Sequence, residues 1–318
     1  MILVTGASGF VGSAVIARLA RDGAETRACV RRSDICMPDG VHAVRVSDLT
    51  ASTDWSEALA GVEAVVHTAA RVHVMDDLAT DPLAEFRRIN VHGTLNLARQ
   101  AAAAGVRRFV FISSIKVNGE STKLGAVFSA NDLPAPLDPY GVSKMEAEEG
   151  LREIAAPTGM EVVIIRPPLV YGLGVKANFA TLMRAVQRSW PLPLGAVHNQ
   201  RSLVALDNLV DFIVICQSHP QAANQTFLVS DGHDLSTTEL VRGLARAAGV
   251  PARLLPVPVW ALKATAALLG KSDAVQRLCG NLQVDISKAR RLLGWVPPVS
   301  VDEGLQRAVA GREDETNI

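Results

Sequence analysis

A short apolar run at the start of the chain leads straight into a glycine-rich turn. Ile2–Val4 has the composition of a buried strand, and Gly6, Gly9 and Gly12 follow with the spacing G-x-x-G-x-x-G. Glycines at this spacing let the backbone turn tightly and approach a pyrophosphate. The helix that follows offers free N–H groups and the positive end of its dipole. The strand, turn and helix together predict a dinucleotide site, whereas the glycines alone would also suit an ordinary turn.

The same strand and helix pattern continues through the first 166 residues. Nearly all-apolar strands that alternate with helices are typical of a parallel sheet covered on both faces. We therefore predict an α/β protein of the Rossmann type, a doubly wound parallel sheet. Further strands are predicted at Thr26–Val30, Val41–Val46, Ala64–His67, Val106–Ser113 and Met160–Arg166, and helices at Ser13–Arg21, Thr94–Ala104 and Lys144–Ala155.

The pattern becomes irregular after Pro167, where prolines and glycines interrupt the chain. Residues 1–166 are predicted to form the dinucleotide-binding domain with the catalytic residues. Residues 167–318 are predicted to form a smaller, irregular and mainly substrate-binding part that does not fold independently. Its predicted helices are Phe179–Gln187, Asp207–Cys216, Thr237–Ala248 and Pro258–Leu269.

Charge and composition limit the partners of the chain. Lysine plus arginine and aspartate plus glutamate number 32 each, so no net field gathers nucleic acid or an anionic membrane. The longest apolar run, Val257–Leu269, is interrupted by Lys263 and is too short to span a bilayer. We predict a core helix there, with contact to a membrane or a partner as the alternative. Four cysteines without a C-x-x-C pair and the lack of a signal peptide predict buried thiols, no metal site and a cytoplasmic location.

The end of the second strand bears on the choice of cofactor. A carboxylate there accepts a hydrogen bond from the ribose of NAD, whereas a basic residue pairs with the 2′-phosphate of NADP. Arg31 and Arg32 occupy this point, and a guanidinium suits a phosphate. We therefore favour NADP(H), with NAD(H) as the alternative if the two arginines merely begin a solvated loop. Asp48, just past the third strand, is placed to contact the adenine, or to cap a turn.

Tyr140 and Lys144 form the second informative pattern, Y-x-x-x-K. Residues four apart on a helix share a face, and a nearby cation lowers the pKa of a phenol. A tyrosine adjusted in this way exchanges a proton with a hydroxyl or a carbonyl oxygen. Ser113 and Ser114 end the fifth strand, at the sheet edge where ligands bind in open α/β folds. A chance pair on a surface helix is the alternative for the Y-x-x-x-K match alone.

Segments along nearly the whole chain resemble the extended short-chain dehydrogenases of the NAD-dependent epimerase/dehydratase family. The matching segments are Thr5–Gly12, His67–Ala70, Asn90–Thr94, Ser113-Ser114, Tyr140–Lys144, Arg166–Gly172, Asp285–Ala289 and Leu293–Pro297. The resemblance implies Ser114, Tyr140 and Lys144 as the catalytic residues. With the patterns above, it implies cofactor contacts from Gly6, Gly9, Phe10, Val11, Gly12, Arg31, Arg32, Asp48, Leu49, Ala69, Ala70, Asn90, Ser113, Tyr140, Lys144 and Pro167.

Within this family the chain is most similar to bacterial UDP-sugar 4-epimerases and to the 4-keto-6-deoxy-sugar reductases of O-antigen synthesis. The resemblance implies a UDP-sugar substrate and a homodimer formed through helices around 85–104 and 144–155. The implied substrate contacts are Ser114, Lys116, Asn118, Asn178, Arg201 and Arg277. Lys116 and Asn118 stand where epimerases often carry serine or threonine and tyrosine.

Two oxidoreductase hypotheses follow. Arg31 and Arg32 favour NADPH-dependent reduction at C4 of a UDP-4-keto-6-deoxy-hexosamine. The alternative is a UDP-glucose or UDP-N-acetylglucosamine 4-epimerase that retains NAD. A binding protein that only senses NADP is disfavoured because Tyr140 and Lys144 are both present. A reductase of flavonoids or steroids is disfavoured by Arg201 and by the Leu293–Pro297 segment.

Overall fold

The computed structural model describes residues 1–32, 35–72, 81–270 and 272–310, and within them seven parallel strands form the main sheet. Their spatial order is β3-β2-β1-β4-β5-β6-β9. The strands are β1 (Ile2–Thr5), β2 (Thr26–Val30), β3 (Val41–Arg45), β4 (Ala64–His67), β5 (Arg108–Ile112), β6 (Glu161–Arg166) and β9 (Thr226–Leu228). Two further strands, β7 (Leu169–Tyr171) and β8 (Leu203–Ala205), pair in parallel beside this sheet.

Strand order reverses beside β1, which pairs with β2 on one side and with β4 on the other. At such a reversal the connections leave in opposite directions, and a crevice opens at the carboxyl ends of the strands. All four residues of β1 and of β4 are buried, as expected for central strands covered on both faces. The predicted doubly wound parallel sheet is confirmed.

Helices cover both faces of the main sheet. Those on and around it are α1 (Phe10–Arg21), α2 (Ser56–Leu59), α3 (Pro82–Phe86), α4 (Thr94–Ala103), α5 (Pro139–Thr158) and α7 (Leu206–Ser218). Helices α1 and α7 pack in one hydrophobic cluster, and α4 and α5 pack in the other. Helix α7 and strand β9 come from beyond residue 166, so the main sheet includes residues from both predicted parts of the chain. The division of roles at residue 166 stays a prediction.

The remaining helices form the smaller C-terminal part. They are α6 (Ala177–Gln187), α8 (Thr237–Ala247), α9 (Val259–Leu268), α10 (Ser272–Cys279), α11 (Ser287–Leu293) and α12 (Val301–Ala310). Helices α6, α8 and α12 enclose a third hydrophobic cluster that includes Tyr171, Phe179, Leu244 and Leu305. The irregular C-terminal part expected from the sequence therefore has a core of its own beside the main sheet.

Two helices differ from the sequence expectation. Helix α5 begins at Pro139 rather than near Lys144, because the Asp138 carboxylate accepts a hydrogen bond from the Gly141 N–H (2.6 Å) and caps the helix. The prediction of a core helix at Pro258–Leu269 is wrong. Among the α9 residues only Ala266 is fully buried, and Trp260 is 74% exposed. In the described part of the chain, no helix has both the length and the apolar character needed to cross a bilayer.

Candidate active site

The glycine loop lies at the carboxyl end of β1, where the sheet order reverses. Gly6 has a positive φ of 69°, and a Cβ there would lie 2.7 Å from the Ala69 backbone nitrogen. A Cβ on Gly12 would lie 2.1 Å from the Gly6 carbonyl oxygen. These contacts require glycine, because any side chain would push α1 away from the loop. The turn after β1 and the first turn of α1 therefore keep the close packing predicted from their spacing.

The first turn of α1 is suited to an anion. Its N-cap residue is Gly9, which has no side chain, and its first residues, Phe10 and Val11, carry no charge. The Gly9 N–H donates to the Gly6 carbonyl (2.8 Å) and closes the turn. The positive end of the helix dipole therefore lies at the crevice with no side-chain cap and no acidic residue in the first turn. This cradle fits the diphosphate of a dinucleotide cofactor.

The residues predicted for the cofactor's adenosine lie at the ends of β2 and β3. Arg31 and Arg32 follow β2 directly, and both are exposed. The Asp48 carboxylate accepts a hydrogen bond from the Leu49 N–H (2.8 Å) and lies 3.5 Å from the Arg88 guanidinium. The contacts of all four residues with a cofactor stay predictions. Residues 33 and 34, which continue the arginine segment, lie outside the described residues.

A π-helical segment, Arg87–Gly93, connects α3 to α4 and positions Asn90. The Asn90 side chain exchanges hydrogen bonds with the Arg71 backbone (2.8 and 3.0 Å) and donates to the Ser143 hydroxyl (3.0 Å). It thus ties the segment after β4, which contains Ala69 and Ala70, to the helix that carries Lys144. Such π-helical turns are frequent at functional sites, but periodicity of apolar residues does not reveal them.

The three predicted catalytic residues lie on two neighbouring elements at the carboxyl edge of the sheet. Ser114 follows β5 and caps the 3₁₀ turn Ile115–Val117, where its hydroxyl accepts a hydrogen bond from the Lys116 N–H (3.2 Å). Tyr140 and Lys144 lie in the first turns of α5. Lys144 is buried, Tyr140 and Ser114 are partly exposed, and Phe86 packs edge-on against the Tyr140 ring at 5.9 Å.

Burial is the main cause of the pKa shifts of Tyr140 and Lys144. The Lys144 ammonium donates to the Ile112 carbonyl (2.8 Å), lies 4.5 Å from the centre of the Phe111 ring, and lies 6.0 Å from the centre of the Tyr140 ring. Burial lowers the pKa of Lys144 to about 7. Burial, followed by the charge of Asp138, raises the pKa of Tyr140. The expectation that Lys144 lowers the pKa of Tyr140 is therefore wrong for this arrangement, which keeps the phenol protonated.

This pKa of Lys144 predicts how stability depends on pH. The unfolded chain holds the lysine proton up to its ordinary pKa of 10.5, whereas the folded chain releases it near pH 7. The free energy of unfolding should therefore rise with pH across this window. Relative to Lys144→Met, whose side chain does not titrate, the wild type should gain roughly 3 kcal/mol between about pH 7 and 9.5, at about 1.4 kcal/mol per pKa unit. Urea unfolding at both pH values measures this, and parallel curves would contradict it.

A buried ionic network behind the catalytic residues was not anticipated. Glu148 is 1% exposed, binds the Arg166 guanidinium through both carboxylate oxygens (2.9 and 2.6 Å), and accepts a hydrogen bond from the Ser113 hydroxyl (2.6 Å). Arg166 also donates to the Asn118 carbonyl oxygen (2.9 Å), and the Asn118 amide donates to the Ser129 carbonyl (2.9 Å). The side chains of Ser113 and Asn118 are therefore engaged in scaffolding here, and their ligand contacts stay predictions.

Lys116 is also held by protein groups. Its ammonium pairs with the Asp138 carboxylate and with Glu120 (3.1 Å). Asp138 thus joins the Lys116 segment to the start of α5, because the same residue caps that helix. The Asp138-Pro139 pair is a recognisable start signal for a helix. This signal could have located the start of α5, at which Lys116 is held.

The predicted diphosphate residues lie in the C-terminal part. Arg201 is partly buried, and its guanidinium donates to the Gly280 carbonyl (3.1 Å). Burial lowers the pKa of Arg201, while the charge of Glu120 opposes this shift. Arg277, in the last turn of α10, and Asn178, in the first turn of α6, are exposed. Pro167 is buried after β6, where its carbonyl accepts from the Ile115 N–H (3.0 Å). Their ligand contacts stay predictions.

Comparison with known proteins agrees with this geometry. The family model described as "NAD dependent epimerase/dehydratase family" matches residues 2–230. A protein of Vibrio cholerae named UDP-glucose 4-epimerase is 52% identical over 307 residues, which cover 96% of this chain and 93% of that protein. The structure of MoeE5 in complex with UDP-glucose and NAD is 26% identical, has a TM-score of 0.79 and covers 99% of both chains.

A further solved structure supports the fold. UDP-glucuronic acid 4-epimerase from Bacillus cereus, in complex with NAD, has a TM-score of 0.78 at 21% identity and covers 99% of both chains. In this chain the glycine loop and the residues Ser114, Tyr140 and Lys144 lie at the carboxyl edge of the parallel sheet. The family expected from the sequence is confirmed: the chain belongs to the NAD-dependent epimerase/dehydratase family of extended short-chain dehydrogenases.

Proposed function

We propose that the chain is a UDP-sugar 4-epimerase that retains NAD and inverts the carbon bearing the C4 hydroxyl. The observation that carries this proposal is the 52% identity, over almost the full length, to the protein named UDP-glucose 4-epimerase. The glycine cradle and the pair of Tyr140 and Lys144 support it, since both are what oxidation and reduction at a carbinol carbon require. The similarity favours this alternative over the reductase that we preferred from the sequence.

The roles of the residues follow from their positions. Tyr140 takes the proton of the C4 hydroxyl and returns it to the same oxygen on the opposite face of the sugar. Ser114 hydrogen-bonds this oxygen and holds it in reach of the phenol. The glycine loop would hold NAD, which would supply the hydride acceptor and a positive charge. That charge is needed because burial and Asp138 keep Tyr140 protonated.

Arg201 is the residue that we propose for the UDP diphosphate. Its guanidinium is partly buried and faces a carbonyl oxygen, so a doubly charged diphosphate would gain strongly by pairing with it. Arg201→Met should raise KM for the UDP-sugar by roughly tenfold to hundredfold, as expected for one charged hydrogen bond of about 1.5–3 kcal/mol, with little change in kcat. Steady-state kinetics measure this, with Arg184→Met, an exposed arginine on α6, as the control. Equal KM values for both variants would contradict the role.

NADPH-dependent reduction of a UDP-4-keto-6-deoxy-hexosamine is a second candidate, favoured by one observation. Arg31 and Arg32 are exposed directly after β2, where a 2′-phosphate would lie, and neither is a carboxylate that would bind the ribose hydroxyl of NAD. A preference for NADP(H) belongs to this candidate, whereas a tightly held NAD belongs to the first.

Two assays separate these candidates. The purified chain is given UDP-glucose or UDP-N-acetylglucosamine with no added cofactor, and separately a UDP-4-keto-6-deoxy-hexosamine with NADPH. The epimerase proposal expects turnover in the first assay and NAD released from the protein on denaturation. Turnover in the second assay alone, with stoichiometric loss of NADPH, would replace it with the reductase.

We also propose a homodimer formed through α4 and α5, and a location in the cytoplasm. The two helices pack against each other on one face of the sheet. Two copies related by a two-fold axis would bring the two pairs together as a four-helix interface. Sedimentation velocity measures the mass of the particle, and a monomer at micromolar concentration would contradict the dimer.

A further inference from the structure

Helix α9 is apolar on its outward side as well as on the side that packs inward. Trp260 and Leu268 are 74% and 88% exposed, and they lie two turns apart on one side of the helix with Ala264 and Ala267 between them. Val259 and Leu262, on the opposite side, pack against the third hydrophobic cluster. A surface helix normally places polar residues toward water, so the exposed apolar side of α9 is a surface that a partner would cover.

The apolar surface continues onto the chain segments that precede α9. The Leu192 N–H donates to the Arg253 carbonyl, and the Leu255 N–H donates to the Leu192 carbonyl, both at 2.8 Å. This pairing brings together the segments that carry Trp190, which is 55% exposed, and Leu255, which is 50% exposed. We call these two residues with Trp260, Lys263, Leu268, Arg188 and Arg253 the α9 surface.

The charge of these segments is of one sign. The chain has 32 acidic residues, yet none lies in the stretches 162–206 and 240–272, which contain α6, most of α8 and α9. Arg188, Arg253 and Lys263 are exposed there, and the Arg188 guanidinium lies over the Trp190 ring at 5.6 Å. Arg246 on α8 is paired with Asp302 of α12, whereas Arg188, Arg253 and Lys263 form no ion pair with another described residue.

We propose that the α9 surface docks on an anionic phospholipid bilayer. Tryptophan and leucine enter the boundary between headgroups and acyl chains, while arginine and lysine remain at the headgroup phosphates. A protein partner would more often meet a surface of mixed charge, whereas projecting apolar residues beside exposed cations fit a lipid surface. Docking adds no spanning segment, since α9 lies along the interface.

Docking would also orient the proposed substrate side of the enzyme. Helix α9 packs against α10, and α10 runs into Gly280, whose carbonyl accepts the hydrogen bond of Arg201. The diphosphate residue is thus one helix away from the docked face. The enzyme would work beside the membrane surface, although the docking itself does not depend on the reaction at C4.

Vesicle sedimentation tests the proposal with the full chain. Vesicles of phosphatidylcholine and phosphatidylglycerol at 3:1 should bind the protein, and vesicles of phosphatidylcholine alone should bind it far less. Because each cation near such a surface adds about fivefold to the partition coefficient, 0.5 M salt and the Arg253→Glu and Lys263→Glu variants should each weaken binding. Equal binding to both kinds of vesicle, or binding to neither, would overturn the proposal.

The apolar residues are tested with a matched control. Leu268→Glu and Trp260→Glu should each lower vesicle binding at least tenfold, while Leu133→Glu, at a leucine that is also 88% exposed, should leave it unchanged. All three positions face water, so the variants should fold, and circular dichroism checks this. An equal loss in the control would overturn the proposal. A fall in particle mass in Trp260→Glu, without vesicle binding by the wild type, would overturn it in favour of an interface between two copies.

Discussion

Tyr140→Phe should lower kcat for C4 epimerisation by about 10²–10⁴-fold, because general acid and base catalysis contributes a factor of this size. The variant should keep its fold and its bound cofactor. The phenol oxygen lies at the carboxyl edge of the sheet on a partly exposed side chain, and the ring keeps its edge-on contact with Phe86. Kinetics with a UDP-sugar, together with the cofactor content of the purified variant, measure the two effects separately.

The second tyrosine of the chain provides the matched control. Tyr171 is fully buried in β7, and its hydroxyl donates to the Asp231 carboxylate (2.8 Å). Tyr171→Phe removes the same atom but leaves the partly buried Asp231 carboxylate with one hydrogen bond fewer, so it should cost about 1–3 kcal/mol of stability and leave kcat within a few-fold. Tyr140→Phe should thus lower kcat and leave the stability unchanged, whereas Tyr171→Phe should lower the stability and leave kcat nearly unchanged. Comparable activity in both would show that Tyr140 is not the acid and base.

Gly12→Ala should release the cofactor and destabilise the fold. The added Cβ would lie 2.1 Å from the Gly6 carbonyl oxygen, so α1 must move away from the loop. Overpacking of this kind costs about 1–3 kcal/mol. The loop and the first turn of α1 form the diphosphate cradle, so the same shift should lower the affinity for NAD roughly tenfold to hundredfold. Thermal unfolding and the NAD content of the purified variant measure both effects.

Gly61→Ala is the control for this substitution. Gly61 also has a positive φ, 71°, but a Cβ there would meet nothing within 4 Å. The substitution should cost about 1–2 kcal/mol through backbone strain alone and leave the cofactor bound. Retention of NAD by Gly12→Ala at the wild-type level would show that the glycine loop does not form the cofactor cradle.

The sheet could be predicted from the sequence because its signals are local. Apolar strands such as Ala64–His67, which follows a glycine turn at Gly61, are recognisable from composition, and the glycine loop indicated the position of the first crossover. The start of α5 was placed too late, although Asp138 and Pro139 announce it, because the apolar pattern is weak at that end. Helix α9 was assigned to the core on hydrophobicity alone. Which side of a short apolar helix meets water depends on its neighbours in space, which the sequence does not display.

The sequence likewise predicts those features of the candidate site that depend on local spacing, and not those that depend on residues distant in the sequence. Tyr140 and Lys144 could be found because four residues on a helix bring two side chains together. The effect of burial on their pKa values could not be found, since it depends on groups that are distant in the sequence, such as Phe111 and the Ile112 carbonyl of β5. The Glu148 network joins β5, β6 and α5, and the π-helical turn at Asn90 changes no residue spacing that a sequence pattern detects.

An isotope measurement tests the central claim most directly. UDP-glucose carrying deuterium at C4 is incubated with the purified chain and no added cofactor, and the UDP-sugars are analysed by mass spectrometry and proton NMR. An epimerase that retains NAD returns the hydride to the same carbon, so UDP-galactose should form and keep its deuterium at C4. If no galactose epimer forms, and a 4-keto sugar instead takes up deuterium from labelled NADPH, the chain is a reductase and the proposed function is contradicted.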